Sequence, residues 1–375
     1  MGCVSEYTTL SLSQYLSNTI VFKEKSCYNG EEHENSKYVE YGVEKVFPLY
    51  AMGNFDHDLE TAFVEEDGRG GGDPIWDAVR AEAKLEAEKE PILSSFLYAS
   101  IMSHDSLEKA LGFVLANRLQ NSALLAPQLM DIFGDIMMHD RGIQRSIRLD
   151  VQAFKDRDPS CLAYCWVLLY LKGYHSLQSY RVAHALWNGG RKVLALALQS
   201  RISEVFGVDI HPAARIGEGI LLDHGTGVVI GETAVIGNKV SLMQAITLGG
   251  TGKETGDRHP KIGQGALLGP GAIILGNIRI GDGAMIAAGS LVLKDIPAHS
   301  IVAGIPAKVV GYVQGQDPSL TMKHDATKEF FMNEGDVALP DEPKERNHHK
   351  TNILMMEYIT IYVFFFKKTT SFNTC

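Results

Sequence analysis

An apolar residue recurs every six positions between residues 210 and 292, and no other feature constrains the fold of this 375-residue chain as strongly. The first run is Ile210, Ile216, Leu222, Val228, Ala234, Val240 and Ile246, and the second is Ile262, Leu268, Ile274, Ile280, Ile286 and Val292. A helix repeats about every 3.6 residues and a strand every two, so a sustained period of six fits neither. It is typical of hexapeptide coils, in which each unit forms one short strand and a turn. We therefore predict a parallel β-helix over 208–313.

A glycine-rich insertion interrupts the repeat. Ile246 and Ile262 are sixteen residues apart, four more than two hexapeptides, which predicts a loop between Gly249 and His259. Loops on a rigid scaffold commonly carry binding residues. This loop contains Arg258, whose planar guanidinium suits a carboxylate. The stacked coils also leave open sheet edges, which favours side-by-side self-association.

The residues before the repeat have a helical pattern. Asp73-Pro74 is typical of a helix start, and a first helix is predicted from Ile75 to about Glu90. Further helices are predicted after Ser106, after Asp158-Pro159, over 174–188 and over 191–206. The sequence therefore predicts an α+β fold, in which an all-helical domain over 73–207 leads directly into the β-helix.

The two ends of the chain lack a sustained period. Residues 1–72 carry thirteen acidic and five basic side chains, which accounts for −8 of the net charge of −10. We expect this acidic extension and the atypical tail over 314–375 to be mobile. The remainder is close to neutral and has no basic patch, which argues against a nucleic-acid partner.

Cysteine usage and apolar segments indicate the cellular setting. The five cysteines, at positions 3, 27, 161, 165 and 375, form no CxxC pair and no even framework, which favours a reducing compartment. The apolar stretch 353–366 is too short to span a bilayer. The first 27 residues show no basic segment followed by an apolar core. We therefore expect a cytoplasmic protein with no membrane partner.

One histidine in the repeat is a candidate general base. Asp209 and His224 are fifteen residues apart, roughly one coil, so we expect them about 5 Å apart and able to hydrogen-bond. A carboxylate on one imidazole nitrogen leaves the other nitrogen to take a proton from an alcohol. Asp223, next to His224, supplies a second charge. The alternative is a corner histidine that hydrogen-bonds to the backbone.

A zinc site formed by His211, His224 and His259 is a weaker hypothesis. Hexapeptide trimers can gather histidines at an interface between copies. The spacings of these three residues match no familiar ligand pattern, so no metal is predicted.

Four segments resemble serine O-acetyltransferases, members of the hexapeptide-repeat acyltransferases, with the plant enzymes closest in pattern. They are Leu222 to Gly227, Gly231 to Gly237, the loop Thr247 to Lys261, and Ala303 to Lys308. The resemblance extends over about 73–313 and includes the helical domain. It implies transfer of acetyl from acetyl-CoA to the hydroxyl of L-serine, giving O-acetylserine, the carbon skeleton of cysteine, and CoA. It also implies a left-handed β-helix, and homotrimers that pair through their helical domains into a dimer of trimers.

The resemblance also implies roles for individual residues. His224 matches the general base and Asp209 the carboxylate that orients it. The positions that surround serine match Asp158, Asp223, Arg258 and His259. The backbone or side-chain positions that hold acetyl-CoA match Gly250, Ala272, Ala288 and Lys308. No metal is implied.

Two departures from the family pattern leave alternatives open. Met285-Ile286-Ala287 stands where the family commonly has Lys-Ile-Gly, which predicts weaker CoA binding or slow turnover. The chain ends Asn373-Thr374-Cys375, whereas the family terminus inserts into O-acetylserine (thiol) lyase, which argues against that partner here. The alternatives are a low-activity paralogue that acts as a scaffold or regulatory subunit, and an acetyltransferase with another small acceptor.

Overall fold

The computed structural model describes residues 72–253 and 255–323. Its first part is helical, with a 3-10 turn at Pro91–Leu93 and a π-helical turn at Tyr98–Met102 on either side of α2. The helices are α1 (Pro74–Lys89), α2 (Ser94–Leu97), α3 (Leu107–Leu119), α4 (Ala126–His139), α5 (Arg141–Arg157), α6 (Tyr164–Tyr170), α7 (Lys172–Asn188) and α8 (Lys192–Phe206). The predicted order of a helical region followed by a parallel β-helix is confirmed.

Side-chain caps explain where several helices begin and end. The Asp73 carboxylate accepts hydrogen bonds from the N–H groups of Ile75 and Trp76, at 3.1 and 3.2 Å, at the start of α1. The helix predicted after Asp158-Pro159 begins later, at Tyr164. The reason is that Asp158 follows the last residue of α5, and its carboxylate accepts the Ser160 N–H at 2.8 Å in a turn.

The second part is a three-sided prism of short strands. Sheet A contains β1 (Val208–Ile210), β4 (Val228–Ile230), β7 (Thr247–Gly249), β10 (Ile273–Leu275) and β13 (Leu291–Val292). Sheet B contains β2 (Arg215–Ile216), β5 (Val235–Ile236), β8 (Lys261–Ile262) and β11 (Arg279–Ile280). Sheet C contains β3 (Leu221–Leu222), β6 (Ser241–Leu242), β9 (Leu267–Leu268), β12 (Met285–Ile286), β14 (Ser300–Gly304) and β15 (Ala307–Tyr312). Only the β14–β15 pair is antiparallel in the described part of the chain.

The register of the coils differs from the simple six-residue count. Ile210 pairs with Ile230, twenty residues on, whereas Ile274 pairs with Val292, eighteen residues on. The first coil therefore has two extra residues. The four repeat positions from Val228 to Ile246 lie two residues before the residues that pair in register with repeat positions of the neighbouring coils. These positions are also buried, so both phases look apolar in the sequence. Leu248 pairs with Ile274, twenty-six residues on, so the loop adds eight residues to its coil rather than four.

A buried ion pair joins the helical region to the β-helix. Asp150 of α5 is fully buried and accepts hydrogen bonds from Arg181 Nη2 at 2.6 Å, Gln178 Nε2 at 2.9 Å and the Ile220 N–H at 2.9 Å. Arg181 also donates to the Gly217 carbonyl at 2.8 Å. One carboxylate therefore links two helices to the turn that leads into β3.

The segment after β15 packs on the outer face of sheet C. Ser241 Oγ donates to the carbonyl of Ser319, which is in α9 (Pro318–Thr321). Val313 and Met322 pack on a buried cluster of Leu267, Met285 and Ile301. Within the segment expected to be mobile, Pro318 and Ser319 are buried, whereas the tail beyond residue 323 and residues 1–71 lie outside the described ranges. Met285, a departure from the family pattern, has a packing role here.

Within the described residues, no helix is long and apolar enough to cross a membrane. The cysteines in this part of the chain, Cys161 and Cys165, are free and buried. Burial raises the pKa of Cys161 to about 11 and of Cys165 to about 12, which fits the interpretation of both as apolar fillers.

Candidate active site

The candidate base lies in a loop between sheets C and A. We call residues 223–227, which connect β3 to β4, the His224 corner. His224 and Gly225 have positive φ angles of 54° and 70°, and the His224 side chain is 70% exposed. Its Nε2 lies 3.9 Å from Asp223 Oδ2, and its ring forms no hydrogen bond to another described residue. The alternative of an imidazole satisfied by the backbone is therefore not what the structure has.

The Asp209 carboxylate has a hydrogen-bond partner in the helical region. Asp209 lies on the outer face of sheet A, and its register partner in the next coil is Val229, five residues beyond His224. An eighteen-residue coil would pair Asp209 with Gly227, and the two extra residues at the His224 corner move its partner to Val229. The Asp209 carboxylate accepts a hydrogen bond from Gln199 Nε2 of α8 at 2.6 Å. Among the described residues, no hydrogen bond joins Asp209 to His224, and their separation of about 5 Å stays a prediction.

Asp158 approaches the same region from the helices. Helix α5 packs against β3, the strand that leads into Asp223. At the end of α5, Arg157 donates to Ser241 Oγ at 3.2 Å, and Ser241 is the register partner of Leu221 in β3. The half-buried Asp158 carboxylate is held by Ser160, whose Oγ donates to it at 2.7 Å.

A second cluster, the Arg258 corner, joins residues 231–233 to residues 257–259. Arg258 Nη2 donates to Glu232 Oε2 at 2.7 Å, and this hydrogen bond is the main cause that lowers the pKa of Glu232. Thr233 Oγ1 accepts from the N–H groups of Arg258 at 3.0 Å and His259 at 3.1 Å. Glu232 and Thr233 were not predicted from the sequence. Their hydrogen-bond partners, Arg258 and His259, lie about twenty-five residues further along the chain and come close only in the folded structure.

His259 is buried in the Arg258 corner and is held in one tautomer. The Thr233 N–H donates to its Nδ1 at 3.2 Å, so in the neutral ring the proton is on Nε2. Burial, and then the charge of Arg258, lower the pKa of His259, which favours the neutral form at neutral pH. The ring also packs on the bare backbone of Gly231, where a Cβ would overlap it.

The two corners lie at opposite ends of the strands of sheet A. They are joined by β4, a three-residue strand that spans about 10 Å. The structure therefore groups Asp223 with His224, and Arg258 with His259, but it does not bring all the predicted serine contacts together in one chain. Among the described residues of a single chain, no group of three His, Cys, Asp or Glu side chains could hold a metal, so His211, His224 and His259 form no such site within one copy.

The acetyl-CoA candidates are dispersed along the later coils. Gly250 follows β7 and faces the Arg258 backbone, where a Cβ would lie 3.5 Å from the carbonyl oxygen. Ala272 is buried, and its carbonyl accepts the Thr247 N–H at 3.0 Å, so this oxygen already has a partner. Ala288 and Lys308 are exposed, after β12 and on β15.

Known proteins resemble both parts of the chain. The family model of the serine acetyltransferase N-terminal domain matches residues 75–179, and the model of six bacterial transferase hexapeptide repeats matches residues 259–294. A probable serine acetyltransferase 2 of Oryza sativa subsp. japonica is 73% identical over 288 residues, which cover 77% of this chain and 81% of the relative.

Two solved structures have the same fold. Soybean serine acetyltransferase complexed with serine is 54% identical, with a TM-score of 0.62 over 63% of this chain and 97% of that chain. Serine acetyltransferase of Brucella abortus strain S19 in complex with coenzyme A is 48% identical, with a TM-score of 0.64 over 65% of this chain and 97% of that chain. The chain belongs to the serine acetyltransferase family.

Proposed function

We propose that this chain transfers the acetyl group of acetyl-CoA to the hydroxyl of L-serine, giving O-acetylserine and CoA. The observation that carries the proposal is the solvent-facing imidazole of His224, beside Asp223, on the β-helix of a serine acetyltransferase. The soybean structure with serine and the Brucella structure with coenzyme A support the same pair of substrates. The reaction would supply the activated serine from which cysteine is made.

In this mechanism, the neutral imidazole of His224 takes the proton from the serine hydroxyl as its oxygen attacks the thioester carbonyl carbon. The new C–O bond forms, and a tetrahedral intermediate results. The C–S bond then breaks, and the imidazolium returns its proton to the departing CoA sulfur. The acetyl group passes directly from the CoA sulfur to the serine oxygen, so no covalent acyl-enzyme is required, and the imidazole is neutral again at the end.

Charges on either side of the base fit an amino-acid acceptor. Arg258 would bind the serine carboxylate through the guanidinium N–H groups that do not bond to Glu232 or to the Gly256 carbonyl. The buried neutral ring of His259 would support Arg258 from behind, with its Nε2–H as a further donor. Asp158 and Asp223 would bind the serine ammonium. Asp209 would orient His224 through carboxylate lone pairs that the Gln199 hydrogen bond to Oδ1 leaves available.

The separation of the two corners favours a site completed between copies. The outer face of sheet A between them carries Val229 and Ile273, which are 41% and 40% exposed in the single chain. In a homotrimer, the His224 corner of one copy would meet the Arg258 corner of its neighbour across this apolar face. We therefore propose a homotrimer, paired through the helical regions, as the active form. Sedimentation analysis at several concentrations tests this assembly.

Acceptor specificity tests the proposed reaction. Acetyl-CoA consumption by the full-length chain should require L-serine and stay at background with a hexosamine or with ethanolamine, which lacks the carboxylate that Arg258 would bind. Equal turnover with ethanolamine would contradict the serine assignment and favour another acceptor. Oligomers mixed with other acetyltransferase subunits, without turnover at saturating substrates, would favour a scaffold.

A fluorescent fusion tests the cytoplasmic location that we expect.

A further inference from the structure

The junction between α6 and α7 packs tightly on the backbone that leads into His224. Gly173, the second residue of α7, is buried, and a Cβ built on it would overlap the carbonyl oxygen of Leu222 and lie 3.1 Å from its carbon. On the other side, the same Cβ would be 3.6 Å from the Phe154 ring. Leu222 is two residues before His224, so α7 bears directly on the peptide that begins the His224 corner.

The same glycine touches the corner after His224. A Cβ on Gly225 would lie 3.4 Å from the Gly173 Cα and 3.0 Å from Val208 Cγ2. His224 and Gly225 both have positive φ, a conformation that costs a non-glycine residue free energy and that the surrounding contacts must offset. Gly173 therefore packs against the backbone on both sides of His224, at Leu222 and at Gly225.

Lys172 holds the far side of the same corner. Its ammonium donates a hydrogen bond to Thr226 Oγ1, two residues after His224. Lys172 and Gly173 are adjacent, so one point of the helical region fixes the corner by a backbone contact and by a side-chain hydrogen bond. Neither contact involves the imidazole itself, which remains exposed.

We infer that Lys172 and Gly173 are positioning residues for His224. They hold the corner in its positive-φ conformation, so that the imidazole points in one direction toward the acceptor hydroxyl. The inference rests on the proposed role of His224 as the base. It predicts that helical-region substitutions far from the Arg258 corner change turnover rather than the binding of acetyl-CoA.

The test uses Gly173→Ala, Lys172→Met and the conservative Lys172→Arg in the full-length chain, each checked for folding and assembly. Relief of the overlap at position 173 needs a shift of about 1 Å, and such a misplacement costs about 100-fold in rate. We expect kcat to fall about 100-fold for Gly173→Ala and about tenfold for Lys172→Met. Lys172→Arg should retain most of the activity, and KM for acetyl-CoA should stay within about twofold in all three. Gly134→Ala in α4, where a Cβ meets nothing within 4 Å, is the matched glycine control.

A His224→Ala background separates positioning from general damage. If Lys172 acts through His224, adding Lys172→Met to His224→Ala should not lower the residual rate further. A further tenfold loss in that background would overturn the inference, and so would Lys172→Met with wild-type kcat, even if Gly173→Ala fails to fold. If His224→Ala alone keeps full activity, the proposed base is wrong, which is a separate outcome.

Discussion

Gly231→Ala is expected to impair serine recognition through His259. A Cβ at position 231 would overlap His259 Cδ2 and Nε2 and lie 2.8 Å from Cε1, so the ring must move by about 1 Å. That movement strains the hydrogen bond from the Thr233 N–H to Nδ1, which contributes about 1 kcal/mol net, and tilts the ring that would support Arg258. We expect kcat/KM for serine to fall about 10- to 100-fold, or about 1.4–2.7 kcal/mol of transition-state binding.

Steady-state kinetics with each substrate varied in turn measure this effect. KM for acetyl-CoA should stay within about twofold of wild type, because His259 is assigned to the amino acid. Gly134→Ala again provides the control, since the new methyl group enters open space on a helix. An unchanged kcat/KM for serine in a folded Gly231→Ala protein would refute the assignment of His259. An equal loss toward both substrates would show general damage instead.

Three further predictions concern stability and reactivity. Burial lowers the pKa of His175 from its ordinary 6.5 to about 3, so below pH 6.5 the unfolded chain binds a proton that the folded chain does not. The unfolding free energy should therefore fall by up to about 1.4 kcal/mol per pH unit as the pH decreases, and urea titrations of His175→Gln should show a smaller slope; identical slopes would contradict this. Asp150→Asn leaves Arg181 buried without its counter-charge and should lower the unfolding free energy by about 3–5 kcal/mol, whereas a loss below about 1 kcal/mol in denaturant titration would count against the role of the pair. With the other three cysteines changed to serine, Cys161 and Cys165 should resist a thiol reagent at about pH 8 until the protein unfolds, because burial raises both pKa values; rapid labelling of native protein would disprove this.

The repeat predicted the architecture because every coil must place an apolar residue inside the prism, and that requirement recurs in the sequence. The register was harder to predict. Val228 and Ile246 are as buried as Ile230 and Leu248, so a two-residue shift leaves the apolar pattern intact. The shift occurs at the His224 corner, where it moves the register partner of Asp209 from Gly227, eighteen residues on, to Val229, twenty residues on.

The sequence identified candidate site residues one by one, but it did not predict how the chain groups them. His224 and Arg258 stood out by chemical type, whereas the hydrogen bonds of Glu232 and Thr233 to the returning loop depend on tertiary packing. The Met285 departure illustrates the same limit. The effect on CoA stays a prediction, and the sequence did not show that this side chain packs with Leu267 and Ile301 beneath the C-terminal segment. Whether an outward-facing side chain of the β-helix can contact a ligand depends on whether another segment packs over it.

The most direct measurement of the central claim is the serine-dependent kcat of His224→Ala relative to wild type, with both proteins folded and in the same assembly state. If the imidazole takes the hydroxyl proton, the substitution should lower kcat by about 100-fold or more at neutral pH. His139→Ala, which removes an exposed imidazole at the end of α4, should leave kcat unchanged. Full activity in His224→Ala would contradict the claim that this residue is the base.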